Sequence, residues 1–133
     1  MTREQKFDEE MLQNFQRCLS LDELQEFFHQ HRQMMQQTEQ QITQALADND
    51  LPTLGKAIHK IVGSAATPCF PMVHRLAHSL AEAARGNRLE LARALATELL
   101  AARTEAWQLL TSRYPQLNKP AAAQPTSSQP AQP

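Results

Sequence analysis

Residues 54–66 read LGKAIHKIVGSAA, and the group there best suited to chemistry is His59. At 100° per residue, Leu54, Ala57, Ile58, Ile61 and Ala65 fall within about 100° of one another and form a stripe to be buried. His59 lies roughly 140° from the centre of that stripe, which turns its imidazole outward. Gly55, Lys56, Gly63 and Ala66 fall near it on the same outer face. A glycine inside a helix costs about 1 kcal/mol relative to alanine. That cost is best justified where another backbone has to come close. The pattern is one exposed imidazole in a cleared patch, with a lysine one turn away.

An exposed imidazole is a competent nucleophile at neutral pH. The sequence offers no Ser-His-Asp arrangement and no glycine-rich phosphate loop to go with it. A lone nucleophile without a nucleotide site needs its partner to bring the rest of the chemistry. Phosphoryl transfer meets that need: the partner supplies an acyl phosphate and Mg²⁺, and the histidine supplies an in-line nitrogen lone pair. Lys56 would steady the charge on the phosphoryl oxygens. The plain alternative is a surface histidine on an amphipathic helix.

Other constellations carry less. The segment LAHSLAEAA (76–84) partly repeats the surroundings of His59 but has Glu82 where Gly63 falls, and a carboxylate there repels an incoming phosphoryl group. His78 therefore flanks the active face more readily than it serves as nucleophile. His74 and His78 are four apart, a spacing that can hold one metal, but a full site needs three or four ligands and none converges with them in sequence. No metal site is expected. His31 falls in an apolar seam and reads as a buried or boundary histidine, and His29 points elsewhere. Cys69 has no basic neighbour in sequence to lower its pKa. Met34 and Met35 read as packing material. The Gln-dense run 33–44 reads as a polar outer face.

The elements that position His59 are helical. Leu21, Leu24, Phe28, His31, Met35, Thr38, Ile42 and Ala45 step by three and four, the seam of a bundle helix over 21–47. Ser20 and Glu23 form a capping box at its start. Phe7, Met11, Phe15 and Cys18 mark a shorter helix before it. Asp50 caps a helix over 51–66 with Pro52 in its first turn, and TPCFP (67–71) breaks the pattern. Residues 72–85 bury Val73, Leu76, Ala77, Leu80 and Ala84. Gly86 is the expected stop and Asn87 the next N-cap. The last helix, about 88–113, turns Leu89, Ala92, Leu95, Ala96, Leu99, Ala102, Ala106 and Leu109 inward. Short connections make neighbours antiparallel. The expectation is all-α: an N-terminal capping helix over 1–20, an up-down antiparallel four-helix bundle over 21–114, and a disordered Pro/Ala/Gln-rich tail over 115–133.

Composition agrees. Of 133 residues, 41% are apolar and only 5% aromatic, with 3 glycines, which argues for helices and against β-sandwiches or barrels. Two cysteines make neither a disulfide framework nor a four-thiolate site. The sequence has no apolar run of membrane-spanning length and no signal core at its start, so a cytoplasmic protein is expected. Charge is uneven: residues 1–50 carry ten acids against four bases, and 51–119 carry four acids against nine bases. The second half favours an acidic partner, while its basicity and aromatic content are too low for a nucleic-acid platform.

The segment AIHKIVGSAA (57–66) resembles the active helix of histidine-containing phosphotransfer (HPt) domains of bacterial phosphorelays. ALADNDLPTLGKAIH resembles the family's run-in, and HRLAHSLAEAARGNRLELA its following helix and turn, for a coverage of about 7–113. The resemblance implies a phosphoryl carrier without an ATP site. His59 would accept the group from a receiver-domain aspartyl phosphate and pass it to another receiver, with Mg²⁺ held by the receiver and no cofactor of its own. Lys56 and Lys60 are the candidate phosphate supports, Lys60 being the poorer because it lies about 100° around the helix. Gly55, Val62, Gly63, Ala66, His78 and Arg85 are the candidate receiver-docking residues. Partners would be response-regulator receivers or a hybrid sensor kinase, met by a monomer. Three departures stand out. Val62 takes a place where the family usually has lysine, Cys69 one where it often has glycine, and Ala81 one where it often has Gln or Glu. These leave two other readings open: an HPt-like module that docks a receiver or kinase without relaying phosphate, and an unrelated helical adaptor.

Overall fold

The computed structural model describes residues 7–118. Five helices follow one another: α1 (Glu9–Cys18), α2 (Leu21–Ala47), α3 (Leu51–Val62), α4 (Pro71–Arg85) and α5 (Leu89–Arg113). Two 3₁₀ turns, Thr67–Cys69 and Pro115–Asn118, complete them, and there is no strand among the described residues. The all-helical expectation is met.

The chain caps its helices with the residues expected of it. Ser20 accepts from the Glu23 amide while Glu23 accepts from the Ser20 amide, closing the capping box of α2. Asp50 accepts from the amide of Thr53 at 3.1 Å and from its hydroxyl at 2.6 Å, opening α3. The Thr53 hydroxyl first and its amide second hold the Asp50 carboxyl below its ordinary range, against desolvation and with a lesser contribution from Lys56. Helices α2 and α4 end alike. Asn49 and Asn87 take left-handed φ values of 54° and 61°, and the amides after them reach back to Ala45 and Ala83. Asparagine tolerates that conformation through its short polar side chain. Gly86 is the C-cap of α4, the expected stop, though with a negative φ; the expected start is corrected, since Asn87 does not cap α5, whose N-cap is Arg88 without a side-chain bond.

Contacts along α2 and α5 run in opposite order. Arg93 donates to the Leu46 carbonyl and to Asn49, Arg103 pairs with Glu39, Arg32 lies over Trp107 at 5.5 Å, and Gln25 donates to the Gln116 carbonyl. On α3, Lys60 meets Gln41 of α2, and beyond its end Ser64 meets His31. Helix α4 packs back along α3 and then onto α5. The core lies between them, with Phe28, Ile42, Leu54, Ile58, Ile61, Leu80 and Leu99 fully enclosed. Helix α1 sits at one end: the Asp8 amide donates to the Cys69 carbonyl, Phe7 meets the Tyr114 ring edge-on at 6.4 Å, and Arg113 pairs with Glu9.

Several boundaries move. Helix α3 stops at Val62 rather than 66, so the helical phase is lost there: Ala65 is exposed, and Ala66 is buried at 2% exposure. Leu21 heads the α2 seam in sequence but is 49% exposed, since it lies in the first turn beyond the packed surface; Gln25 is buried in its stead. In α1 the enclosed side chain is Leu12, and Cys18 is exposed. In α5, Leu110 rather than Leu109 is fully buried. The expected tail does not begin at 115. Leu117 is 3% exposed against the bundle, and Pro115 opens a short 3₁₀ turn around it. The remainder of that segment, 119–133, lies outside the described residues.

His31 is buried in α2, as its place in the seam suggested. Its ring stacks on Phe70 at 5.3 Å, and its Nδ1 lies 3.1 Å from the Ser64 hydroxyl. Burial first, and the charge of Arg103 second, push its pKa from an ordinary 6.5 to about 4. The unfolded chain therefore binds this proton more readily than the folded one. Stability from this site is intact above about pH 6.5 and is lost as pH falls through about 4, a change on the order of 3 kcal/mol. Unfolding titrations of wild type and His31→Gln should show the difference in stability shrinking by that order between pH 7 and pH 4. A pH-independent difference would overturn the assignment.

Candidate functional site

The first turn of α3 places Pro52 at its start, where the missing amide hydrogen costs little. Burial of Leu54, Ala57, Ile58 and Ile61, each 0–2% exposed, then fixes the rotation of the helix. The opposite stripe, Pro52, Gly55, Lys56, His59 and Val62, faces the neighbouring stripe of α4, His78, Ala81, Glu82 and Arg85. Between them runs an open groove of about 560 Å³. His59 is exposed there, and no described residue hydrogen-bonds to its imidazole.

The groove gathers six of the residues singled out from sequence: Gly55, Lys56, His59, Val62, His78 and Arg85. It leaves out three. Lys60 is turned to the other flank of α3, where its ammonium donates to Gln41 at 3.1 Å, so it is not at hand for a group on His59. Ala66 lies in the core, beyond the end of the helix that was to present it. Gly63 is exposed but is the C-cap of α3 rather than an interior residue, its amide donating to the His59 carbonyl at 2.9 Å. A Cβ at 63 would stand 3.3 Å from that same carbonyl oxygen. Pro52 was missed. Its signal was the helical step from 52 to 55 or 56 to 59, which the stripe around His59 continues by one turn. Ala81 and Glu82 appeared in sequence as a departure and a repulsive neighbour; both are walls of this groove.

The polar content of the groove is two cations, Lys56 and Arg85, one carboxylate, Glu82, and two imidazoles. The balance is positive with the imidazoles neutral, which favours an anion. The imidazoles differ in what surrounds them. The Nε2 of His78 lies 3.2 Å from the Nε2 of His74, whereas the His59 ring is not engaged by a described residue. Among nucleophiles outside the groove, Cys69 is 2% exposed, and burial, with Asp8 adding to it, pushes its thiol up to about 12. That thiol is inert at neutral pH. Among the described residues no group of three or more His, Cys, Asp or Glu could hold a metal, and no helix is long and apolar enough to cross a membrane.

The chain belongs to the Hpt domain family, whose model matches residues 22–110. A search of curated proteins and one of solved structures each gave no match. Membership makes the chain a phosphotransfer module of two-component signalling.

Gly55 is half-buried, and a Cβ built there meets Ala84 at 4.0 Å, an ordinary contact. The fold therefore leaves room for a methyl group at 55. Gly55→Ala should raise stability by roughly 0.5–1 kcal/mol through helix propensity, and His59→Gln, being exposed, should change it by less than about 0.5 kcal/mol. Chemical denaturation checks both; a clear loss from Gly55→Ala would mean that the α3–α4 contact needs glycine.

Proposed function

We propose that this protein is a phosphorelay intermediate in which His59 accepts a phosphoryl group from the aspartyl phosphate of one receiver domain and donates it to the aspartate of another. The observation that carries the reading is the exposed His59 imidazole in a groove with Lys56 and Arg85. Its framework is an up-down four-helix arrangement, which holds α3 and α4 rigidly side by side. One imidazole nitrogen attacks phosphorus in line as the aspartyl oxygen leaves, and the reverse step regenerates free histidine. The receiver brings Mg²⁺, which neutralises the transferring oxygens. Lys56 and Arg85 add positive charge at the groove, and Gly55 lets the receiver backbone settle against α3. Val62 and Ala81 supply apolar contact. His78 flanks the docking face, and Glu82 disfavours phosphate at its end of the groove. The chain acts in the cytoplasm as a monomer and brings no cofactor.

A second reading rests on Val62. The residue three after the histidine is an aliphatic side chain in the groove wall, and Lys60 is held by Gln41, so neither puts an ammonium there. A module of this kind could dock a receiver and withhold it from other partners without carrying phosphate.

Transfer from a panel of phosphorylated receivers separates the two. Wild type should gain an acid-labile, base-stable label that His59→Gln lacks and His78→Gln retains. Receiver binding without label would favour the docking module, and label lost only in His78→Gln would move the site. Gly55→Ala should weaken receiver binding although it stabilises the fold. Val62→Lys should speed labelling by roughly two- to fivefold, the worth of one ion pair on an open face; an unchanged rate would show that Lys56 and Arg85 already meet the need.

A further inference from the structure

The pair His74 and His78 stands one helical turn apart on α4, His74 half-buried and His78 exposed. Their rings meet edge-on with centroids 4.7 Å apart, and their Nε2 atoms approach to 3.2 Å. Many conformers of an i, i+4 histidine pair point the rings apart into solvent; here the same nitrogen of each ring converges on one point. Metal–imidazole bonds are about 2.0–2.1 Å, so two Nε2 atoms at this separation subtend about 100° at a shared ion, between the square-planar and tetrahedral angles.

We propose that His74 and His78 form a two-nitrogen site for a borderline divalent transition ion, Cu²⁺, Ni²⁺ or Zn²⁺. Without metal, one Nε2–H donates to the other Nε2 lone pair. Binding requires both Nε2 lone pairs, so the donor ring moves its proton to Nδ1 through solvent and each ring gives one dative bond. The protein supplies two ligands, since no set of three converges among the described residues, and water fills the other positions. Affinity should follow the general order in which Cu²⁺ exceeds Ni²⁺ and Zn²⁺. Hard cations such as Mg²⁺ are not expected to compete, because they prefer oxygen ligands. The position has a consequence for the groove. His78 is one of its walls, together with Lys56 and Arg85, so an ion there adds positive charge beside His59. The site stands on ring geometry alone and is independent of whether His59 relays phosphate.

The test is calorimetric titration of the full chain with Cu²⁺, Ni²⁺ and Zn²⁺, paired with the electron paramagnetic resonance spectrum of the Cu²⁺ form. Wild type should bind one ion, with hyperfine coupling to two nitrogens. His74→Gln and His78→Gln should each lose at least tenfold in affinity, and the two-nitrogen pattern should disappear. His29→Gln should behave as wild type. Adding Glu82→His to His74→Gln rebuilds the i, i+4 spacing with His78 one turn further on and should recover affinity. The proposal is overturned if either single glutamine variant binds within twofold of wild type, or if His29→Gln loses as much as they do. Circular dichroism of each variant shows whether the helix is retained, so a loss through misfolding is recognised as such.

Discussion

The burial of one face of α3 is the constraint on which the rest depends. Leu54, Ala57, Ile58 and Ile61 are each 0–2% exposed, and the larger three contribute about 1.5–3 kcal/mol apiece by leaving water. Rotating α3 by a single residue's 100° to hide His59 would expose that row. The rotation is thus set by α2 on one side and α4 on the other, and the imidazole's exposure is its by-product. Exposure is costless to the fold for the same reason: none of the packing uses the histidine.

Closing the helices into one unit falls to α5, and it does so with small side chains inside and charges along the edge. Ala92, Ala96, Ala102 and Ala106 are buried beside the larger Leu99 and Leu110, so four of the six enclosed side chains of α5 are small. Arg93, Arg103 and Arg113 then reach the end of α2, its middle and α1 in turn. The charge asymmetry between the two halves of the sequence is therefore partly internal. Several bases of the second half meet carbonyls or acids of the first. Lys56 and Arg85 stand apart from that edge, in the groove.

The helix order, the α2 seam from Leu24 to Ala45 and the outward aim of His59 were legible because periodicity over many residues averages out local exceptions. What failed was local. Ala65 and Ala66 exchanged roles because α3 ends four residues early, and a helical wheel continued past a cap assigns faces to residues that no longer follow it. In sequence Gly63 reads as a clearing inside the helix, but a glycine near a C-terminus is as well explained by the cap. Lys60 could not be placed by rotation alone: its side chain is long enough to be captured by Gln41 across the α2–α3 contact. Leu117 is hidden inside a Pro-rich run because composition describes a segment's average, whereas its burial and the Gln25 bond to the Gln116 carbonyl hold that turn to the core. The groove itself was half legible. Its α3 wall follows from one helix, whereas its α4 wall needs the register between two.

That register bears on how the departures from the family pattern should be weighed. Seen on α3 alone, valine at 62 removes a cation one turn from the histidine and appears to disarm the site. Seen across the groove, Arg85 comes from α4 and Lys56 from the preceding turn of α3, so positive charge is redistributed rather than removed. Glu82 pulls the other way at the same wall. A charge one helix turn away acts on an open face through water, where its effect is modest and depends little on exact placement. A transferring phosphoryl group asks mostly for a net positive surround that leaves the in-line path clear. On the relay reading, an aliphatic side chain at 62 would keep that path clear and would add apolar contact area to the groove wall. The valine thus leaves the positive charge of the groove to Lys56 and Arg85 and adds apolar area to its wall.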